Sequence, residues 1–260
     1  MRNVEGDFTD YTKSNKSDTK FPIHNGRIGA AAWLRDGIKK HREGNLGGAM
    51  FDYSQAIRLY PGYAAAWFNR ALVRDSVGEY GAALFDYSES LRINPRDADA
   101  YYHRGRIHRR QGDIDSAIAD YQAALDLDPA YRSAYNSLGV IYHNRGDYER
   151  AIDYYTRAIE KDASYLLGYS NRAEAHFLMG DYDKALADFE KAHELNEEKA
   201  SVLGGLAITH HALHHFEQAV EFWQILLALD EHYADAEWAG RIFNWNDSLI
   251  QAARKVTALL

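Results

Sequence analysis

Apolar and small side chains recur along this chain in a pattern that repeats every 34 residues. Within one period, Ala98 to Arg110 sets aromatic and small residues at helical spacing. Gln111-Gly112-Asp113 breaks that stretch, with a glycine suited to a helix C-terminal cap. Ile114 to Leu127 then aligns Ala117, Tyr121 and Ala124 on one stripe, which predicts a second helix. Asp128-Pro129 ends it, because proline disfavours helical geometry in the residue before it. Gly105 opposite Ala117 lets the two backbones approach closely, while Tyr101 and Tyr121 fill the space beside them.

The same two-helix pattern is written six times. Pro61, Pro95 and Pro129 fall on one step, continued by Ala163, Glu197 and Glu231. Turn glycines share it at Gly44, Gly78, Gly112, Gly146 and Gly180, and His214 takes the sixth place. An alanine series runs Ala49, Ala83, Ala117, Ala151, Ala185 and Ala219. Four residues later come Tyr53, Tyr87, Tyr121, Tyr155, Phe189 and Trp223. On the first helix, Trp33, Trp67, Tyr101, Tyr135, Tyr169 and Leu203 precede a small residue at Gly37, Ala71, Gly105, Gly139, Ala173 and Ala207. No insertion interrupts any series, so the period identifies a repeat architecture.

The stretch YYHRGRIHRRQGDIDSAIADYQAALDLDP resembles the tetratricopeptide repeat family, and the resemblance covers about residues 30 to 231. It implies an all-α fold, a right-handed α-solenoid of antiparallel helix pairs whose first helices line a concave groove. Residues 1 to 28 are polar, with Phe8, Tyr11, Phe21 and Ile23 as their large apolar anchors, and are expected to form a disordered or loosely docked tail. Residues 232 to 260 keep the phase faintly. Asn246-Asp247-Ser248 offers an N-cap, and Leu249, Ala253, Val256 and Leu260 share one face, which predicts a degenerate seventh unit capping the stack.

Comparing the copies predicts a contact. Arg70, Arg104 and Arg172 share a repeat position at which the fourth and sixth copies carry Leu138 and Leu206. Sixteen residues on, the arginine copies have Asp86, Asp120 and Asp188, and the leucine copies have Tyr154 and Phe222. Arginine travels with aspartate, so each pair is expected to meet across its own helix hairpin as a structural salt bridge. Pairing with the preceding unit's aspartate would leave Arg172 facing Tyr154, and explains less.

Composition narrows the chemistry. The chain has 260 residues, 46% hydrophobic and 26% charged, with a net charge of -8 and no cysteine. Thiolate chemistry is excluded, and the acidic balance argues against nucleic acid or anionic membranes as partners. The opening residues lack the apolar core of a signal peptide, so a cytoplasmic location is expected. His210, His211, His214 and His215 are spaced as metal ligands could be, but His214 replaces the turn glycine, so a helix end is expected between them. No phosphate loop, nucleophile elbow or HExxH motif occurs. A non-catalytic scaffold with no cofactor is the expectation.

The resemblance also implies which first-helix positions face the groove. In the second and third units they are Phe68, Asn69, Leu72, Tyr102, His103, Arg106, Arg109 and Arg110. Further on they include Asn136, Val140, His143, Asn171, Glu174 and Phe177, then Gly204, Gly205, Ile208 and His211. The basic third unit beside aromatic residues suits a protein or peptide segment carrying a carboxylate and an apolar anchor. The chaperone-tail clamp of one subfamily is not expected: Asn69 and Asn171 match its middle element, but the lysines are missing. An alternative is self-association into a homodimer through Trp238, Trp245 and the C-terminal helix.

Overall fold

The computed structural model describes residues 25–260, which hold fourteen α-helices and no strand. The expected tail lies, over residues 1–24, outside the described residues. The chain divides into two compact halves at Leu127 and Asp128. The first half holds α1 (Asn25–Arg42), α2 (Leu46–Leu59), α3 (Ala64–Ser76), α4 (Tyr80–Ile93), α5 (Ala98–Arg110) and α6 (Ile114–Leu127). The second holds α7 (Arg132–Asn144), α8 (Tyr148–Lys161), α9 (Leu166–Leu178), α10 (Tyr182–Leu195), α11 (Ala200–Ala212) and α12 (Phe216–Leu229). A 3₁₀ turn at Glu231–Ala234, α13 (Ala236–Phe243) and α14 (Asp247–Thr257) complete the second half. No helix among the described residues is long and apolar enough to cross a membrane.

Within each half every odd helix packs most extensively on the even helix after it, and hairpin stacks on hairpin. The small positions explain how closely they approach. A Cβ on Gly105 would stand 3.0 Å from the Tyr121 ring and 3.1 Å from the Asp120 Cβ. Tyr53, Tyr87, Tyr121, Tyr155, Phe189 and Trp223, one per hairpin, are among the largest fully buried side chains.

Each hairpin turns through one left-handed residue. Gly44, Gly78, Gly112, Gly146 and Gly180 have φ between 76° and 84°, and His214 holds the same place at 63°. As expected, α11 stops at Ala212, between the members of each histidine pair. A β-carbon in this region costs about 1–2 kcal/mol. Replacing His214 with glycine is therefore expected to stabilise the chain by about 1 kcal/mol, since the ring's contact with Phe216, 5.8 Å between centroids, offsets part of the gain. An unchanged or lower urea midpoint for His214→Gly would contradict this.

The anticipated ion pairs are present within the three arginine-bearing hairpins. Arg70 grips Asp86 with Nε and Nη2 at 2.8 and 2.9 Å, Arg104 grips Asp120 at 2.9 and 2.7 Å, and Arg172 grips Asp188 at 2.7 and 2.7 Å. The remaining Nη1 donates backwards to the preceding repeat: Arg70 to Ser54 at 3.0 Å, Arg104 to Ser88 at 3.3 Å and Arg172 to Thr156 at 2.9 Å. Each arginine thus closes its own hairpin and ties it to its neighbour. The carboxylates also draw in a residue one turn further along the first helix. Lys40 reaches Asp52 and Arg74 reaches Asp86, both at 2.7 Å. The copies without aspartate stack rings at those two positions, Tyr142 on Tyr154 and His210 on Phe222, each with an interplanar angle of 7°.

Candidate binding faces

In the first half, α3 and α5 bring together the eight anticipated residues of the second and third repeats, but not all as open surface. Phe68 is only 3% exposed, packed edge-on against Tyr87 and His103 at 5.7 and 5.8 Å. Asn69 is buried and donates to the Ala65 carbonyl one turn back. Both support the face from beneath. Leu72, Tyr102 and His103 are half-buried, and Arg106, Arg109 and Arg110 are exposed.

His103 stacks on Tyr87 at 5.9 Å and meets Tyr102 at 5.5 Å. Burial, with Arg106 second, pushes its imidazole down to about 3, so it is neutral. Its Nδ1 lies 3.3 Å from Arg106 Nη1, where a neutral ring accepts. Arg106 also lies over Tyr102 at 6.0 Å, and Arg110 lies over Tyr80 at 4.6 Å. The stacked aromatics thereby hold two guanidinium groups in place. One acid moderates the patch. Asp75, half-buried near the end of α3, is raised by burial while Arg106 and Arg110 pull it down. Asp75 and Arg109 occupy the same repeat position, so the aspartate could have been found by aligning the two copies.

In the second half, Asn171 on α9 donates to Asn136 Oδ1 on α7 at 2.9 Å. Val140, His143 and Asn171 line a cavity of about 470 Å³ together with Glu174. His143 packs on Tyr148 at 5.3 Å, and burial lowers its pKa. Phe177 is 8% exposed and belongs to the C-terminal core rather than to an open groove.

That core explains the loss of surface. A seventh unit continuing the pattern would lean chiefly on α12, yet α14 packs more on α11. Leu249, Ala253 and Val256 are buried with Phe177 and Ile208. Phe243 and Trp245 lie over Gly204, where a Cβ would meet their rings at 3.0 and 2.9 Å. Gly204 and Ile208 are positions the resemblance assigns to the groove, so the C-terminal segment covers the inner side of the sixth repeat. Trp245 is 7% exposed and Trp238 stacks on His232 at 5.2 Å, so both tryptophans are engaged within the chain itself. The histidine cluster is likewise engaged: His210 and His215 approach through Nδ1 at 3.4 Å, and His211 and His214 each meet Phe216 edge-on.

Models of the tetratricopeptide repeat family match residues 72–132, 102–165 and 167–199. No curated protein matches the sequence. Among solved structures, the chain is similar to MamA at 25% identity, over 66% of this chain and 93% of MamA, with a TM-score of 0.58. It is similar to pilF of Pseudomonas aeruginosa at 16% identity, over 80% of this chain and 95% of that one, with a TM-score of 0.71. YrrB, described as a TPR protein with an unusual peptide-binding site, matches at 20% identity over 78% of this chain and 97% of its own, with a TM-score of 0.58. At their identities, pilF and YrrB bear on the fold alone. Helix hairpins at a 34-residue period, family matches through the centre of the chain and solved structures of the same architecture agree: the chain belongs to the tetratricopeptide repeat family.

Proposed function

We propose that this chain is a non-catalytic scaffold that holds a segment of another protein, and that the face formed by α3 and α5 receives a part of that segment bearing carboxylates next to an apolar side chain. The observation that carries this reading is the trio Arg106, Arg109 and Arg110, exposed on the last turns of α5 in a chain of net charge -8. Arg106 and Arg110 are held over rings, which lowers the entropy lost when a ligand carboxylate binds them. Leu72 and Tyr102 offer the half-buried apolar contact, with Phe68 supporting them from below. Asp75 makes the face selective, because it repels a carboxylate placed too near the end of α3.

A blocked peptide alternating leucine and glutamate tests this, with its leucine-glutamine counterpart as control. The acidic peptide is expected to bind more tightly, and added salt should weaken it as it screens the exposed charges. Arg106→Glu with Arg109→Glu is expected to abolish that preference while the circular dichroism spectrum stays helical. Equal binding of both peptides, or a double variant that keeps the preference, would refute the assignment.

A further inference from the structure

Glu174, half-buried, stands apart from the four aspartates that close the helix hairpins. Asp52, Asp86, Asp120 and Asp188 each meet a cationic side chain within 3 Å. Glu174, at the same repeat position as Leu72, Arg106 and Val140, makes no ion pair among the described residues. It is crowded by protein on most sides and keeps its remaining exposure toward the cavity of about 470 Å³. Tyr155, Tyr233 and Phe243 line that cavity too, so one carboxyl group shares its walls with three aromatic rings. The rings are held: Phe243 stacks on Tyr233 at 5.2 Å and meets Trp245 edge-on at 5.0 Å.

A carboxyl group and aromatic rings lining one cavity are the receptor chemistry of an organic cation. We propose that this cavity binds an alkylammonium or guanidinium group, presented as a lysine or arginine side chain of a bound segment. The inference rests on the inner faces being ligand-facing, but not on the basic patch of α5.

The other groups facing the site leave that role open. Burial lowers the pKa of His143 from α7, and its buried Nε2 has no hydrogen-bond partner. Tyr155 comes from α8, Lys199 from the residue before α11 and Tyr233 from the 3₁₀ turn; Lys199 is exposed at the rim and makes no ion pair with Glu174. The Trp245 indole N–H faces Glu174 from outside strict hydrogen-bond geometry, and its downward pull only partly offsets burial, which raises the carboxyl to about 7. A cation needs the ionised form. Its apparent affinity therefore rises by up to about tenfold per pH unit below this midpoint and levels off above it.

The probes are the blocked tripeptides Ac-Gly-Lys-Gly-NH₂ and Ac-Gly-Arg-Gly-NH₂, free butylammonium, and Ac-Gly-Gln-Gly-NH₂, each titrated at millimolar concentration onto the full chain. The readouts are the Glu174 carboxyl ¹³C resonance and the Trp245 indole signal. The cationic peptides are expected to move both and to pull the Glu174 midpoint down toward the ordinary carboxylate range, with the glutamine peptide inert. Tighter binding of the peptides than of butylammonium supports a side-chain ligand. Equal or tighter binding of butylammonium overturns that part and leaves a free amine as the ligand. Glu174→Gln should weaken the lysine peptide about tenfold, the loss of one charge-assisted hydrogen bond, and leave the leucine-glutamate peptide's affinity unchanged. Equal response to lysine and glutamine peptides, no response to any cation, or a Glu174→Gln variant that binds lysine as before would overturn the proposal. None of these outcomes touches the reading of α3 and α5, which stands or falls on the acidic peptide.

Discussion

Removing residues 247–260 is expected to melt the C-terminal half far below the temperature of the full chain. α14 contributes Leu249 and Val256, 1% and 0% exposed, together with the fully buried Ala253. Two large side chains of this kind are worth roughly 3–6 kcal/mol through burial alone, a large part of a marginal stability of about 5–15 kcal/mol. The truncation also uncovers Phe177 and Ile208, which share that core, and leaves Trp245 without the neighbours that hold it over Gly204. The measurement is thermal unfolding followed by circular dichroism, with light scattering for aggregation from the exposed apolar face. A truncated chain that melts with the full one would show that α14 is a dispensable appendage and that the buried stripe contributes nothing.

Asp86→Ala is expected to cost about 3 kcal/mol or more, the range for a buried pair that loses one partner. Asp86 is fully buried and takes both Arg70 and Arg74, whose side chains are 13% and 22% exposed. The substitution leaves the largely buried Arg70 without a carboxylate, and Arg74 with only Glu79 at 3.8 Å. The chain contains its own remedy. Repeat four replaces this set by Leu138, Tyr142 and Tyr154, with the tyrosines stacked at 5.4 Å. Carrying that set into repeat two, as Arg70→Leu, Arg74→Tyr and Asp86→Tyr together, is expected to recover most of the loss, because a well-packed apolar cluster can replace a buried ion pair at little cost. Ser54 would keep its bond to the Met50 carbonyl at 2.7 Å, so no new buried hydroxyl is stranded. Urea midpoints of the single and triple variants decide the matter. A triple variant no better than Asp86→Ala would mean that the two side-chain sets are not interchangeable between repeats.

What could be read from the sequence follows the same logic of copies. The helices, the left-handed turn positions and the pairing of Arg70, Arg104 and Arg172 with the aspartates of their own hairpins come from comparing six versions of one solution. The backward bonds to Ser54, Ser88 and Thr156 were legible in the same way. Sixteen residues before each arginine stands a hydroxyl, while Gln122 and Glu190 stand before the two leucines. The binding faces were less legible. Repeat position says which way a side chain starts, but not whether a neighbour covers it, which is how Phe68 and Phe177 came to be expected on open surface. The lie of α14 on α11 was not legible at all. The segment after Glu231 has no second copy for comparison, and an amphipathic stripe at helical spacing fits an end cap or an inner lining equally well.

The tie between a hydroxyl and the arginine that follows it sets a rule for how such a chain can lengthen. A tandem duplication of repeat two would place a second Arg70 behind the first copy's Ser88 and leave Arg104 behind the second copy's Ser88, so every junction in that half would find its partner. Duplicating repeat three would instead set Arg104 behind Gln122, and duplicating repeat five would set Arg172 behind Glu190. Of the three arginine-bearing repeats, only the second has a trailing edge that matches its own leading edge. Growth by copying is open at that repeat, while at the other two a duplication needs a compensating change before it fits.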